Sequence, residues 1–286
     1  MSLAPRPIRL DLAEGRVAAL DFGDPERPID VLFLHATGFN ARTYADGLSR
    51  AGQRIRVVAL DQRGHGLTEL PADPATAVSW TPFALDLIEM RKALQIDHPV
   101  VLSGHSMGGT VSLLAAPKLG EMVKALVLFD PVMFHHPRGT ALMESPLALG
   151  AARRRPTFES KAAALAAYTG RGAFRTWPAQ TIADYVEDGF RPAPGGGVEL
   201  TCAPAWESVV FGRQDHDVWG AMDQTTAPLH ILRAEHGTTC HLAPQRDIEG
   251  HVGRRLETVP GTSHFLPMER PDLVGKALLA ACLAEA

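Results

Sequence analysis

Ten residues, Val100–Gly109 (VVLSGHSMGG), constrain this chain more than any others. The apolar run 100–103 predicts a buried strand, and the stretch from Ser106 to Leu114 predicts a helix packed behind it. Only a tight turn can join them. Gly104 and Gly108 bracket Ser106, and a side chain at either would crowd strand or helix while the serine backbone is strained to lift its hydroxyl over the sheet edge. The free amides at the helix start then face whatever the hydroxyl attacks. The pattern therefore points to a nucleophilic serine in a strand–turn–helix unit.

The flanking sequence repeats that unit. Ile8–Leu12 and Val17–Phe22 predict an antiparallel hairpin, Val31–Leu34 and Ile55–Leu60 two buried strands, and Ala125–Phe129 another that ends at Asp130-Pro131. Thr81 is placed to cap a helix with Pro82 at its first position; Phe83, Leu87, Met90 and Leu94 recur at helical spacing, with Asp86, Glu89 and Lys92 on other faces. Alternating strand and helix calls for a parallel sheet covered on both sides. From about Met133 to Met222 the alternation stops; Ser160–Tyr168 reads as helical and Pro194–Gly197 as a flexible turn. An insertion this long and this apolar predicts a mostly helical cap. The sheet resumes at Leu229–Arg233, Arg255–Val259 is the last strand, 260–264 a turn, and Pro271 opens a final helix to Leu283. The division expected is a first core part at 1–132, a cap at 133–222 and a second core part at 223–286.

Bulk properties narrow the function. A formal charge of −4 with no long basic run makes no case for nucleic acid, and Arg153, Arg154 and Arg155 read as a solvated helix end. The scattered Cys202, Cys240 and Cys282 fit a reducing compartment, and no apolar run is long enough for a membrane span or a signal peptide. The expectation is a cytoplasmic protein without membrane association; oligomeric state is not readable.

Four segments, Phe33–Gly38 (FLHATG), Asp61–Gly66 (DQRGHG), Gly104–Gly108 (GHSMG) and Pro260–Phe265 (PGTSHF), make the chain similar to the α/β-hydrolase superfamily, in particular its capped, esterase- and lipase-like serine hydrolases. The resemblance covers nearly all the chain outside the cap. It implies an α/β fold with a mostly parallel eight-stranded sheet flanked by helices, a serine nucleophile at Ser106, a histidine base at His264 and an acid between them in sequence. It also implies an oxyanion hole from the amides of Met107 and, in the loop His35-Ala36-Thr37-Gly38, of Thr37. Where glycine is usual in that loop this chain has Ala36, and His35 is read as a brace for it.

The acid has two candidates. The loop after the strand that follows the cap reads Arg233–Cys240 (RAEHGTTC), with Gly237 or Thr238 where an aspartate is usual. Some relatives carry the acid at the end of the strand after the elbow helix, here Asp130; Glu235 is the alternative, and Asp130 is favoured for its short side chain at the end of a buried strand. Arg63 and Asp61 are expected to tie loops together. His135-His136 and Asp215-His216-Asp217 lack diagnostic ligand spacing, so no metal and no cofactor are expected. Trp177, Trp206, Trp219, Phe174 and Phe211 are candidates for an apolar pocket, with cap packing the commoner role.

The resemblance implies a cofactor-independent hydrolase of a carboxylic ester, lactone or thioester, acting on a small, apolar molecule through an acyl-enzyme. Its alternatives are a carbon–carbon bond hydrolase of the same fold and a non-catalytic small-molecule receptor.

Overall fold

Strands that are apolar on both faces need cover on both faces, and alternating strand and helix supplies it. The computed structural model describes residues 4–77, 79–134, 143–243, 247–248 and 251–284. β1 (Arg6–Leu12) and β2 (Gly15–Phe22) form the expected antiparallel hairpin, and β3 (Val31–Leu34), α1 (Ala45–Ala51) and β4 (Val57–Leu60) follow. α2 (Thr81–Ala93) leads to β5 (Val100–His105), α3 (Met107–Leu119) and β6 (Val123–Phe129). Next come α4 (Pro146–Ala152), β7 (Thr157–Phe158), α5 (Lys161–Tyr168), α6 (Ala179–Gly189), β8 (Phe190–Pro192), β9 (Val198–Leu200), α7 (Pro204–Gly212) and α8 (Val218–Gln224). β10 (Leu229–His236), β11 (Arg254–Ser263), α9 (Leu266–Glu269) and α10 (Pro271–Leu283) return to the sheet.

The main sheet has eight strands in the order β1-β2-β4-β3-β5-β6-β10-β11, parallel from β4 onward. Leu32, Leu102 and Leu126 pack with Leu87, Met90 and Val111 of α2 and α3 on one face. Phe33, Val101 and Val127 pack with Leu48, Val274 and Leu278 of α1 and α10 on the other. The chain steps outward from β3 to β4 and then back past β3 to β5. Strand order thus reverses between β3 and β5, and the crevice beyond their carboxyl ends is where an open α/β sheet binds ligands.

Several expectations change. Thr81 lies inside α2; Trp80 occupies the cap position with no side-chain cap bond, its indole N–H instead donating to the Val210 carbonyl at 2.9 Å. Asp86 is buried and accepts the Arg63 guanidinium at 2.8 and 2.7 Å, so α2 turns one carboxylate inward. Residues 260–263 continue β11, which resumes pairing beyond a bulge, His236 opposite Ser263. The segment between β6 and β10 adds a three-stranded sheet, β7-β9-β8, to its helices. Pro194–Gly197 is the turn of its β8–β9 hairpin, with Gly196 and Gly197 at φ 92° and 73°.

That segment has an aromatic core: Tyr168 stacks on Phe174 at 4.7 Å, and Tyr185 lies 5.0 Å from Phe174. Such pairs contribute about 0.5–1.5 kcal/mol each beyond area burial. Specific bonds seat it over the sheet edge. Asn40 Nδ2 donates to the Tyr185 carbonyl at 2.9 Å, Arg42 pairs with buried Asp188 at 2.7 Å, and Trp206 Nε1 donates to the Arg63 carbonyl at 3.2 Å.

Candidate active site

Ser106 stands between β5 and α3 at φ 54° and ψ −120°, a backbone shape that costs a non-glycine residue about 1–3 kcal/mol. Its neighbours hold it there: the Ser106 amide donates to the Phe129 carbonyl at 3.0 Å and its carbonyl accepts the Thr110 amide at 3.1 Å. The flanking glycines are required by close approach. A methyl on Gly108 would overlap the Leu34 carbonyl, and one on Gly104 would overlap the backbone of Gly108 and Leu34. β3, β5 and α3 therefore meet backbone to backbone, which leaves the serine only one way out, into the crevice.

His264 follows β11 directly, and its Nε2 lies 3.1 Å from Ser106 Oγ. On its other side Nδ1 lies 2.6 Å from Asp130 Oδ2. Asp130 directly follows β6, at φ 42°, and is fully buried. Its carboxylate is saturated with donors. Oδ1 accepts the Ala234 amide at 2.9 Å and the Thr238 hydroxyl at 2.5 Å, and Oδ2 accepts the Thr239 amide at 3.0 Å. Burial alone would raise its pKa; the bonds from His264, Thr238 and Thr239 outweigh that and hold the carboxyl below the ordinary aspartate range. An ionised Asp130 only accepts, so the His264 proton sits on Nδ1 and Nε2 presents its lone pair to the serine hydroxyl. That is the tautomer a base toward Ser106 needs.

Glu235 is elsewhere. It is half-exposed, and its Oε2 accepts the Gly261 amide at 2.8 Å. Of the two acids, the fold brings Asp130 to His264. Thr238, one of the two residues at the place where an aspartate is usual, supplies a hydroxyl to Asp130 instead.

Beyond β3, Thr37 borders the crevice beside Ser106, and its hydroxyl donates to Met107 Sδ at 3.2 Å, joining the two segments expected to hold an oxyanion. Met107 opens α3, where the first amides have no intrahelical acceptor. Ala36 needs no positive φ; the left-handed residue of this loop is Gly38, at φ 78°. His35 braces the loop as read, its Nε2 accepting the Gln62 amide at 2.9 Å while Nδ1 donates to the Ala36 carbonyl at 2.8 Å. Asp61 and Arg63 also tie loops: Asp61 accepts the Ala41 and Leu67 amides at 2.8 Å each, and Arg63 joins Glu14 to Asp86.

Ser106, Thr37 and His264 face a cavity of about 660 Å³. Phe174 and Phe211 line it as anticipated, whereas Trp177, Trp206 and Trp219 pack within the insertion and against the core. Arg154 is the residue the sequence misleads about. It is mostly buried rather than a solvated helix end, lines the cavity, and donates to Glu207 at 2.6 Å, Tyr185 at 2.7 Å and Tyr168 at 3.2 Å. Nothing in an Arg-Arg-Arg run marks the middle residue; the turn after α4 selects it. Sequence reasoning also misses Tyr44 and His105, although the histidine stands inside the elbow motif.

Among the described residues no group of three or more His, Cys, Asp or Glu side chains converges as metal ligands, and no helix is long and apolar enough to cross a membrane. His216 stacks on Trp80 at 4.8 Å, and Asp217 caps α8. His135 and His136 lie outside the described residues.

The profile of the alpha/beta hydrolase family matches residues 31–277. The chain is 27% identical over 251 residues to a 2-(acetamidomethylene)succinate hydrolase of Mesorhizobium japonicum, covering 87% of this chain and 86% of that one. It is 30% identical over 123 residues to a monoglyceride lipase of Rattus norvegicus, 41% of this chain and 40% of the lipase. Among solved structures, an E-2-(acetamidomethylene)succinate hydrolase superposes with a TM-score of 0.82 at 24% identity, covering 98% of this chain and 100% of the other. That likeness is one of fold.

Proposed function

The chain belongs to the alpha/beta hydrolase family, and on that premise we propose that it is a cofactor-independent serine hydrolase of a carboxylic ester, lactone or thioester. The observation that carries the reading is the continuous contact Ser106–His264–Asp130, at 3.1 and 2.6 Å. Ser106 Oγ attacks the carbonyl carbon while its proton passes to His264 Nε2, and the Asp130 carboxylate balances the imidazolium that results. The amides of Thr37 and Met107 receive the oxyanion; one such donor is worth about 2.7–4 kcal/mol. His264 returns the proton to the departing alcohol or thiol. Water, deprotonated by the same nitrogen, then releases the acid and restores Ser106. The segment 133–222 serves as the cap that encloses the substrate.

A second reading concerns the acyl group, and Arg154 favours it. A guanidinium lining a mainly apolar cavity, where it is held by Glu207, suits a substrate whose carboxylate shares it, and the relative from M. japonicum is named for a succinate derivative. Comparing alkyl esters with succinate monoesters on the wild type and on Arg154→Met tests it: equal preference in both proteins rules out a carboxylate subsite.

The primary test is fluorophosphonate labelling of the wild type and Ser106→Ala, followed by a panel of esters, lactones and thioesters. Labelling confined to the wild type, with turnover on that panel, is the expected result. Labelling without turnover of any such compound would favour a carbon–carbon bond hydrolase. An unlabelled wild type would favour a receptor.

A further inference from the structure

His105 is a buried titratable side chain that the acyl-transfer steps do not use. It ends β5, fully buried, with its ring centroid 4.9 Å from that of His264 and 5.9 Å from that of Tyr44. Its Nε2 lies 2.7 Å from the backbone carbonyl oxygen of His264. A carbonyl only accepts, so this nitrogen carries the ring proton. Burial, reinforced by the neighbouring His264, pushes the His105 pKa down to about 3, so the ring is neutral at physiological pH and Nδ1 is a bare acceptor. The Tyr44 hydroxyl, 2.8 Å away, donates to it. The same Tyr44 oxygen accepts the Ala36 amide at 3.0 Å.

Donor directions therefore run unbroken from Ala36 N–H to Tyr44, from Tyr44 O–H to His105, and from His105 Nε2–H to the His264 carbonyl. One end is the residue before Thr37; the other is the backbone of the proposed base. Both ends lie in loops that follow different strands, and the elbow residue His105 is the bridge between them. Phenylalanine at position 44 would fill the same space without burying a hydroxyl, so packing alone gives no reason for three buried polar groups in series.

The geometry points to Tyr44 and His105 as positioning residues that lock the oxyanion-side loop at Ala36-Thr37 to the backbone of His264. The catalytic consequence rests on the serine hydrolase reading; the mechanical link between the two loops does not. A donor aimed at a developing oxyanion acts only if it is in place before the reaction, and a misplacement near 1 Å can cost about a hundredfold in rate.

Three variants separate the arms of the relay. Tyr44→Phe removes one oxygen. His105→Asn keeps an acceptor near Nδ1 and loses the donor to His264, whereas His105→Gln keeps a donor near Nε2. Amide hydrogen exchange followed by NMR reads the link, and the rate of fluorophosphonate labelling with hydrolysis of p-nitrophenyl butyrate reads its consequence. In His105→Asn, exchange at Ala36 is expected to rise by about tenfold or more although Tyr44 is untouched. Labelling and kcat should fall about tenfold to a hundredfold with KM within about twofold, and His105→Gln should recover most of the loss. Tyr44→Phe reads the link from the other end, through faster exchange at Phe265, and keeps the test open if the histidine variants fold poorly. Unchanged exchange at Ala36 in His105→Asn and at Phe265 in Tyr44→Phe would overturn the link. Labelling rates near wild type in both would overturn the positioning role. A wild type that resists labelling would refute the hydrolase reading, and exchange would still decide the link.

Discussion

Replacing Asp130 by asparagine tests the site at its most constrained point. Each carboxylate oxygen faces a backbone amide that cannot turn away: Ala234 N–H at 2.9 Å on Oδ1 and Thr239 N–H at 3.0 Å on Oδ2. The side-chain amide nitrogen must occupy one of those two places, so either orientation of the new side chain sets donor against donor in a fully buried site. One buried unsatisfied donor costs about 1–3 kcal/mol, and about 2–4 °C in Tm accompanies each kcal/mol in a chain of this size class. If the nitrogen takes the Oδ2 place it also faces His264 Nδ1 and drives the ring proton to Nε2, where it blocks removal of the Ser106 proton. Loss of the correct tautomer together with the counter-charge predicts a fall in kcat of about 10⁴, near 5.4 kcal/mol of barrier, with KM little changed. Steady-state hydrolysis of an activated ester reads the rate, and thermal unfolding reads the stability. Glu235→Gln is the control, and it should stay within about threefold of wild type because its half-exposed carboxylate meets the Gly261 amide and the His236 ring rather than His264. An Asp130→Asn enzyme within about tenfold of wild type, or a Glu235→Gln enzyme as damaged as Asp130→Asn, would refute the assignment of the acid.

Other consequences are open to direct measurement. Burial pushes the pKa of His65 down to about 4 and that of His105 to about 3, so each stays neutral in the fold while the unfolded chain takes up protons below about 6.5. The unfolded state then binds more protons, and stability must fall with pH: between pH 7 and pH 5 each of the two should remove about 2 kcal/mol. Urea unfolding at the two pH values checks this, and equal stabilities would contradict it. Gly108→Ala should cost about 1–3 kcal/mol or more and abolish phosphonate labelling, because its methyl meets the Leu34 carbonyl. Gly150→Ala, in α4 with nothing within 4 Å of the added carbon, should stabilise by about 0.4–1 kcal/mol; a loss there would contradict the open space. Thr238→Val removes a donor to buried Asp130 while keeping the side-chain shape, and should lower kcat by about tenfold with partial recovery in Thr238→Ser.

What could be read from residue order was whatever local physics dictates. The run 100–109 specifies strand, tight turn and helix because glycine spacing and apolar runs act between near neighbours, and the same holds for β3, β6 and the helix that begins at Pro271. The linear pattern even separated Ser106 from other serines, since the two glycines around it let three backbones touch. Choosing between Asp130 and Glu235 needed the tertiary structure. Both precede His264 in sequence, and only the adjacency of β6 and β10 brings Ala234, Thr238 and Thr239 around one carboxylate. Arg154 was hidden for the same reason: a charge beside two identical charges carries no mark of burial until α7 sets Glu207, α5 Tyr168 and α6 Tyr185 around it. Tyr44 and His105, too, became a pair only when the turn before α1, the end of β5 and the turn after β11 closed on one another. Periodicity and turn chemistry are properties of a segment. A hydrogen bond between segments belongs to the fold, because its energy depends on a distance that no single segment contains.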